Sequence, residues 1–176
     1  MAYSNNNQNQ NENYNSNYFK RLNDIDVKDF IEWKEYTSKK NGKHYKLAFL
    51  SWAKAWEQVK LIYPDATYTI YENNVNGLTL NYFHDGRTAY VKCGVMIKGI
   101  EHIEYLPVMD KSSKASLPLE QITSFDVNTS IQRCLTKALA RHGMGLSVYI
   151  GDDLDNDDET TKSYGYATNQ RKKMFA

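Results

Sequence analysis

Arg133, Lys137 and Arg141 recur at intervals of four, the spacing that aligns side chains along one line of an α-helix. Over the same stretch Ile131, Leu135, Ala138, Leu139 and His142 gather on a separate apolar face. No Asp or Glu occurs between Val127 and Gly151. A solvated helix face usually mixes both signs, so that residues four apart can pair. A line of cations without local acids has instead the chemistry of a phosphate-binding surface, where each cation that meets a phosphate releases a condensed counterion. The competing reading is a plain solvated face, or one paired with acids from elsewhere in the fold.

A second set lies in residues 87–98. Strict alternation places Ala89, Val91, Cys93, Val95 and Ile97 on one side of a strand and Tyr90, Lys92, Gly94, Met96 and Lys98 on the other. Two cations and an aromatic ring on one sheet face can follow a nucleic-acid backbone and stack a base. An ordinary exposed face of an antiparallel sheet is the alternative. Lys111 and Lys114, in the polar loop 109–125, add charge nearby in sequence.

Catalytic patterns fail on inspection. His102 and Glu104 form the HxE half of a zinc deaminase signature, but neither Cys93 nor Cys134 begins the CxxC that must accompany it. The two cysteines are expected to be buried thiols, although a single disulfide stays open on sequence alone. Asp153, Asp155 and Asp157 start like a calcium loop, yet Asp158 stands where Gly is needed and Tyr164 where Glu is needed. No GxxxxGK[ST] or GxSxG occurs. The expectation is a protein that is not an enzyme and needs no metal or other cofactor.

Elements must then be found to hold these residues. The spacing of Trp52, Ala55, Trp56, Val59, Ile62 and Tyr63 predicts a helix over 52–63, with Ser51 at its N-cap and Pro64 ending it. Strands are predicted at 66–72, 78–83, 87–98 and 101–108, joined by turn signals that include Asp85-Gly86. Such short links predict an antiparallel meander. A last helix over 127–142 carries the basic line, Gly143 and Gly145 stop it, and Leu146–Ile150 reads as a short exit strand. The fold class is α+β.

The ends differ from this middle. Residues 1–17 contain eight Asn and two Gln, which predicts a disordered arm, drawn as 1–23. Residues 152–176 run from six acids to the cluster Arg171, Lys172, Lys173 and read as a flexible tail. The folded domain is drawn as 24–151. The whole chain of 176 residues carries a net charge of only +1. Divided, residues 18–151 hold 18 basic and 14 acidic residues, whereas the tail holds four basic and six acidic. A near-neutral total thus conceals a basic domain. No secretory signal and no apolar run near the roughly 20 residues of a membrane span are present, so a soluble intracellular protein is expected.

Three segments, LSWAKAWEQVKLIYPDATY (50–68), AYVKCGVMIKGIEHIEYLPVMD (89–110) and FDVNTSIQRCLTKALARHGMGLSVYIGDDL (125–154), resemble the Sak-like phage single-strand annealing proteins. That family is similar, more distantly, to the ring-forming annealing protein of eukaryotic recombination. The resemblance implies a β-β-β-α core, a twisted antiparallel sheet packed against helices, and homo-oligomeric rings that hold single-stranded DNA in a positive groove. It implies ATP-independent annealing in phage recombination, in the cytoplasm of a bacterial host. Apart from the resemblance, the acidic tail is a segment that could screen the groove or bind a host single-strand-binding protein. In the distant relatives a K-R-A-L-R-type motif contacts the DNA backbone. Here the stretch is T-K-A-L-A-R: Lys137 matches a basic position, Thr136 and Ala140 stand where the motif is basic, and Arg141 is shifted by one. The expected DNA-binding set is Arg133, Lys137, Arg141, Lys92, Lys98, Tyr90, Lys111 and Lys114. An RNA-binding or protein-interaction module built on the same surfaces is the alternative, and an unrecognised metal nuclease is a third class.

Overall fold

Residues 17–37, 42, 44–110 and 115–149 are described in a computed structural model of the chain. Lys111, Lys114, the arm up to Ser16 and the tail from Asp152 lie outside the described residues.

The centre of the fold is strand β7, which follows from its alternating sequence. In chain order the elements are helix α1 (Tyr18–Asn23), strands β1 (Ile31–Thr37) and β2 (His44–Leu50), helix α2 (Trp52–Ile62), strands β3 (Thr67–Ile70), β4 (Asn73–Val75), β5 (Leu78–Leu80), β6 (Phe83–His84), β7 (Ala89–Ile97) and β8 (Ile100–Pro107), and helix α3 (Ser124–Arg141). Ala89, Val91, Cys93, Val95 and Ile97 are all buried, so the apolar side of β7 faces the core. β8 pairs antiparallel along one edge of β7, from Tyr90 opposite Pro107 to Ile97 opposite Ile100. The other edge is shared by β3, opposite Cys93–Met96, and β6, opposite Ala89 and Tyr90. The β7–β8 turn is Lys98-Gly99, both at positive φ (54° and 74°), the turn form whose twist matches that of the strands it joins.

A simple meander is not what forms. The segment between β3 and β6 makes its own hairpin, β4–β5, turned by Asn76 and Gly77 at φ 51° and 82°. Two Asn–Gly-type turn residues close the chain on itself before it can reach the main sheet. β3 therefore pairs with β7 directly, and the strand expected at 78–83 is split between β5 and β6.

Helix α3 begins earlier than expected. Thr123 and Asp126 form a reciprocal capping box, Thr123 Oγ1 accepting from the Asp126 N–H and Asp126 accepting from the Thr123 N–H at 3.0 Å. At the other end the N–H of Gly143 donates to Ala140 and that of Met144 to Leu139, the paired bonds of a Schellman ending. This ending needs Gly143 at φ +103°. A Cβ there would stand 2.6 Å from the Phe19 carbonyl oxygen. The residues after it, Leu146–Tyr149, form a 3₁₀ turn rather than an exit strand. Gly145 at φ +68° turns the chain back, and Val148 packs into the core.

Two buried clusters fill the interior, and Leu135 touches both. One joins Val91, Cys93, Leu106 and Val108 to Val127, Ile131 and Cys134 of α3. The other joins Val95 and Ile97 to Ala55 and Val59 of α2, Ala138 and Leu139 of α3, and Leu22 of α1. α1 follows the Asn-rich residues 1–17 but lies inside the arm as drawn to residue 23. Leu22 is fully buried and Tyr18 packs edge-on to Tyr63, so the packed unit starts before the boundary drawn at residue 24. The β1–β2 hairpin was likewise not anticipated. Ser51 takes the N-cap position of α2 without a side-chain bond, its own N–H held by the Phe30 carbonyl at 2.8 Å.

Candidate nucleic-acid interface

α3 is largely buried from Ser130 to Ala140, while its first turns, with Phe125 exposed, are open. The sheet covers one side, and Thr136 and Ala140, on another side, are only 3% exposed. These are the positions at which the distant motif is basic, and a charged side chain there would be buried. Between Cys134 and Arg141 the surface of the helix is reduced largely to Lys137 and Arg141. The basic line thus lies where the helix reaches outward.

The three cations are not bare. The Arg133 guanidinium lies 5.3 Å from the centroid of the Phe49 ring in β2. Lys34 of β1 places its ammonium 5.0 Å from the same ring. In the β1–β2 register Phe49 stands opposite Glu32, and Lys34 is two residues on, so all three share one face of the hairpin. Lys137 lies 5.7 Å from the Tyr149 ring. Such contacts leave an ammonium or guanidinium charged and orient it on an aromatic face. Arg141 pairs with Glu104 of β8, Nε to Oε2 at 2.9 Å. The Arg141 side chain remains 63% exposed, so the pair contributes about 0–1 kcal/mol and is weakened by salt. The line therefore runs from a helix–hairpin seam at Arg133 to the outer strand at Arg141. Lys34 was missed in the sequence because nothing local marks β1 as a neighbour of α3.

The outward face of the sheet is a separate surface. It carries Tyr90, Lys92, Gly94 and Met96 of β7, Glu101, Ile103 and Tyr105 of β8, and Phe83 of β6. Phe83 and Tyr90 stack at 5.4 Å with their planes 14° apart, and Tyr105 follows at 6.1 Å from Tyr90. The Lys92 ammonium sits between rings, 4.3 Å from Tyr71 and 5.6 Å from Tyr105. Glu101 reaches across Gly94 and accepts a hydrogen bond from Tyr71 Oη at 2.8 Å. That bond to a carboxylate, with burial second, holds the Tyr71 phenol above its ordinary pKa. Lys98 leaves this face. At φ 54° in the turn, it brings its ammonium 5.9 Å from the Tyr63 ring, which belongs to the core side of the sheet.

His102 packs on His142 at 4.4 Å between ring centroids, and Glu104 pairs with Arg141. Among the described residues no three His, Cys, Asp or Glu side chains come together to hold a metal ion. Cys93 and Cys134 are free, buried thiols beside each other. The neighbouring Cys93 thiol, followed by burial, pushes the Cys134 thiol up. Among the described residues no helix is long and apolar enough to cross a membrane.

The sequence profile described as Sak Single Strand Annealing Protein matches residues 16–176. No curated protein sequence matches the chain significantly.

Proposed function

The chain belongs to the Sak single-strand annealing family, and from that membership together with the basic line on α3 we propose that it binds single-stranded DNA and promotes ATP-independent pairing of complementary strands in phage homologous recombination. The observation that carries the reading is the line of Arg133, Lys137 and Arg141 on α3, half-buried at Arg133 and Lys137 and exposed at Arg141.

No catalytic residue is required. Two complementary strands repel through their phosphates, and cations that displace counterions reduce that repulsion. Contacts to phosphate carry no sequence information, so binding is tolerant of sequence and leaves base edges free to pair. Arg133, Lys137 and Arg141 contact the backbone in this reading, with Lys34 beside Arg133. Tyr90 and Lys92 offer a second surface, and Lys98, Lys111 and Lys114 add positive potential. Assembly into a homo-oligomeric ring would multiply a weak site by effective concentration. The acidic tail is the segment available to a host single-strand-binding protein.

The test is a strand-annealing assay with two complementary oligonucleotides and no ATP, run beside size-exclusion chromatography. Faster annealing by an oligomer is expected. A monomer that leaves the spontaneous rate unchanged contradicts the proposal. An RNA strand of the same sequence, bound more tightly than DNA, would move the substrate class to RNA, since only RNA offers a 2′-hydroxyl.

A further inference from the structure

Tyr105 of the edge strand β8 and Tyr90 of the central strand β7 are 53% and 39% exposed. Resting on the single-strand reading above, we infer that Tyr105, Tyr90 and Phe83 form a platform on which unpaired DNA bases stack. The rings succeed one another across β8, β7 and β6 at centroid separations of 6.1 Å and 5.4 Å. Every base has a π-face, so a row of rings accepts any sequence. Lys92, 5.6 Å from the Tyr105 ring, supplies a cation for the phosphate between stacked bases. Glu101, the carboxylate that β8 places on this face among the described residues, is drawn away across Gly94 to the Tyr71 hydroxyl on the β3 side.

Continuity with the basic line sets the occupant. Glu104 and Tyr105 are consecutive in β8 and point to opposite faces of the sheet. Glu104 holds Arg141, the last cation of the line, at 2.9 Å. β8 pairs with β7 alone among the described strands, so its other edge has no partner strand there. A strand whose phosphates follow Arg133, Lys137 and Arg141 can cross that edge and lay its bases on Tyr105 and Tyr90. Stacking uses the face of a base and leaves its hydrogen-bonding edge open, as annealing requires.

The experiment measures affinity for a thymidine oligonucleotide and for an abasic strand of equal length. The full-length wild-type chain is compared with Tyr105→Ala and Tyr105→Phe. Wild type should bind the abasic strand about 5- to 100-fold more weakly. Tyr105→Ala should lose affinity for the thymidine strand but not for the abasic one, and Tyr105→Phe, which keeps the ring, should match wild type. Equal wild-type affinity for both strands overturns the platform while leaving single-strand binding intact. So does an equal loss by Tyr105→Ala on both strands, or a change in its oligomer mass, which would mark the face as a contact between copies. Loss of binding in Tyr105→Phe overturns it as well. Wild type that binds neither strand overturns the single-strand reading itself.

Discussion

The Arg133 guanidinium of α3 lies 5.3 Å from the Phe49 ring of β2, and this contact couples the helix to the hairpin. Phe49 also carries the Lys34 ammonium at 5.0 Å. One ring therefore gathers cations from two segments about a hundred residues apart in sequence. Exposed contacts of this kind contribute about 0.5–1 kcal/mol each. Phe49→Leu keeps an apolar side chain but removes the ring. It should weaken single-strand binding roughly 2- to 5-fold with little change in thermal midpoint. Affinity at fixed salt, measured with the midpoint, checks this; unchanged affinity would separate Phe49 from the binding surface.

Gly143 is the most constrained glycine after α3. Its φ of +103° is unfavourable for any L side chain, and an added Cβ would meet the Phe19 carbonyl oxygen at 2.6 Å. Backbone, not a flexible side chain, must move. Gly143→Ala should destabilise the fold by about 2 kcal/mol or more, read by chemical denaturation. A loss within about 0.5 kcal/mol, the range of an ordinary surface substitution, would contradict the described ending of the helix.

His142 makes stability depend on pH. It is fully buried, its Nε2 donates to the Val95 carbonyl at 2.8 Å, and its Nδ1 has no partner. Burial, aided by the neighbouring His102, holds its pKa below the ordinary value. As pH falls through about 6.5 the unfolded chain takes up a proton that the folded chain refuses. The contribution to stability is complete above that pH and is lost progressively below it, down to the folded pKa. Thermal midpoints at pH 7.5 and 5.5 should differ, and His142→Gln should flatten that difference. An unaltered slope in the variant would place the titration elsewhere.

The two thiols give a chemical check on the core. Cys93 and Cys134 are both fully buried and unbridged. An aromatic disulfide reagent should react slowly with the native chain and titrate two thiols per chain once it is unfolded. Rapid native reaction of either would show that α3 is not seated on β7 as described.

What was legible in the sequence were the features written locally. The alternation of Ala89 to Ile97 identified the inner face of β7, and the spacing of four identified the basic line. Contacts across the fold were not legible. Nothing near Lys34 or Phe49 announces α3, and nothing near Tyr105 announces Tyr90 until the register of β7 and β8 is known. The β4–β5 hairpin turned by Asn76-Gly77 stands apart from the sheet because β3 pairs with β7 instead. Lys98 looked like part of the Lys92 face because alternation was carried one residue too far into a turn with positive φ. Arg141 was identified as a cation, but its partner Glu104 is 37 residues away.

The most direct test is the salt dependence of single-strand affinity, compared between wild type and the combined Arg133→Ala, Lys137→Ala and Arg141→Ala variant. Each phosphate contact contributes about 0.7 to the slope of log affinity against log salt for single strands. Loss of all three should lower the slope by about 2 units and weaken binding strongly at low salt, with the fold intact by circular dichroism. A folded variant that binds with the wild-type affinity and slope would contradict the assignment of α3 as the phosphate-binding surface.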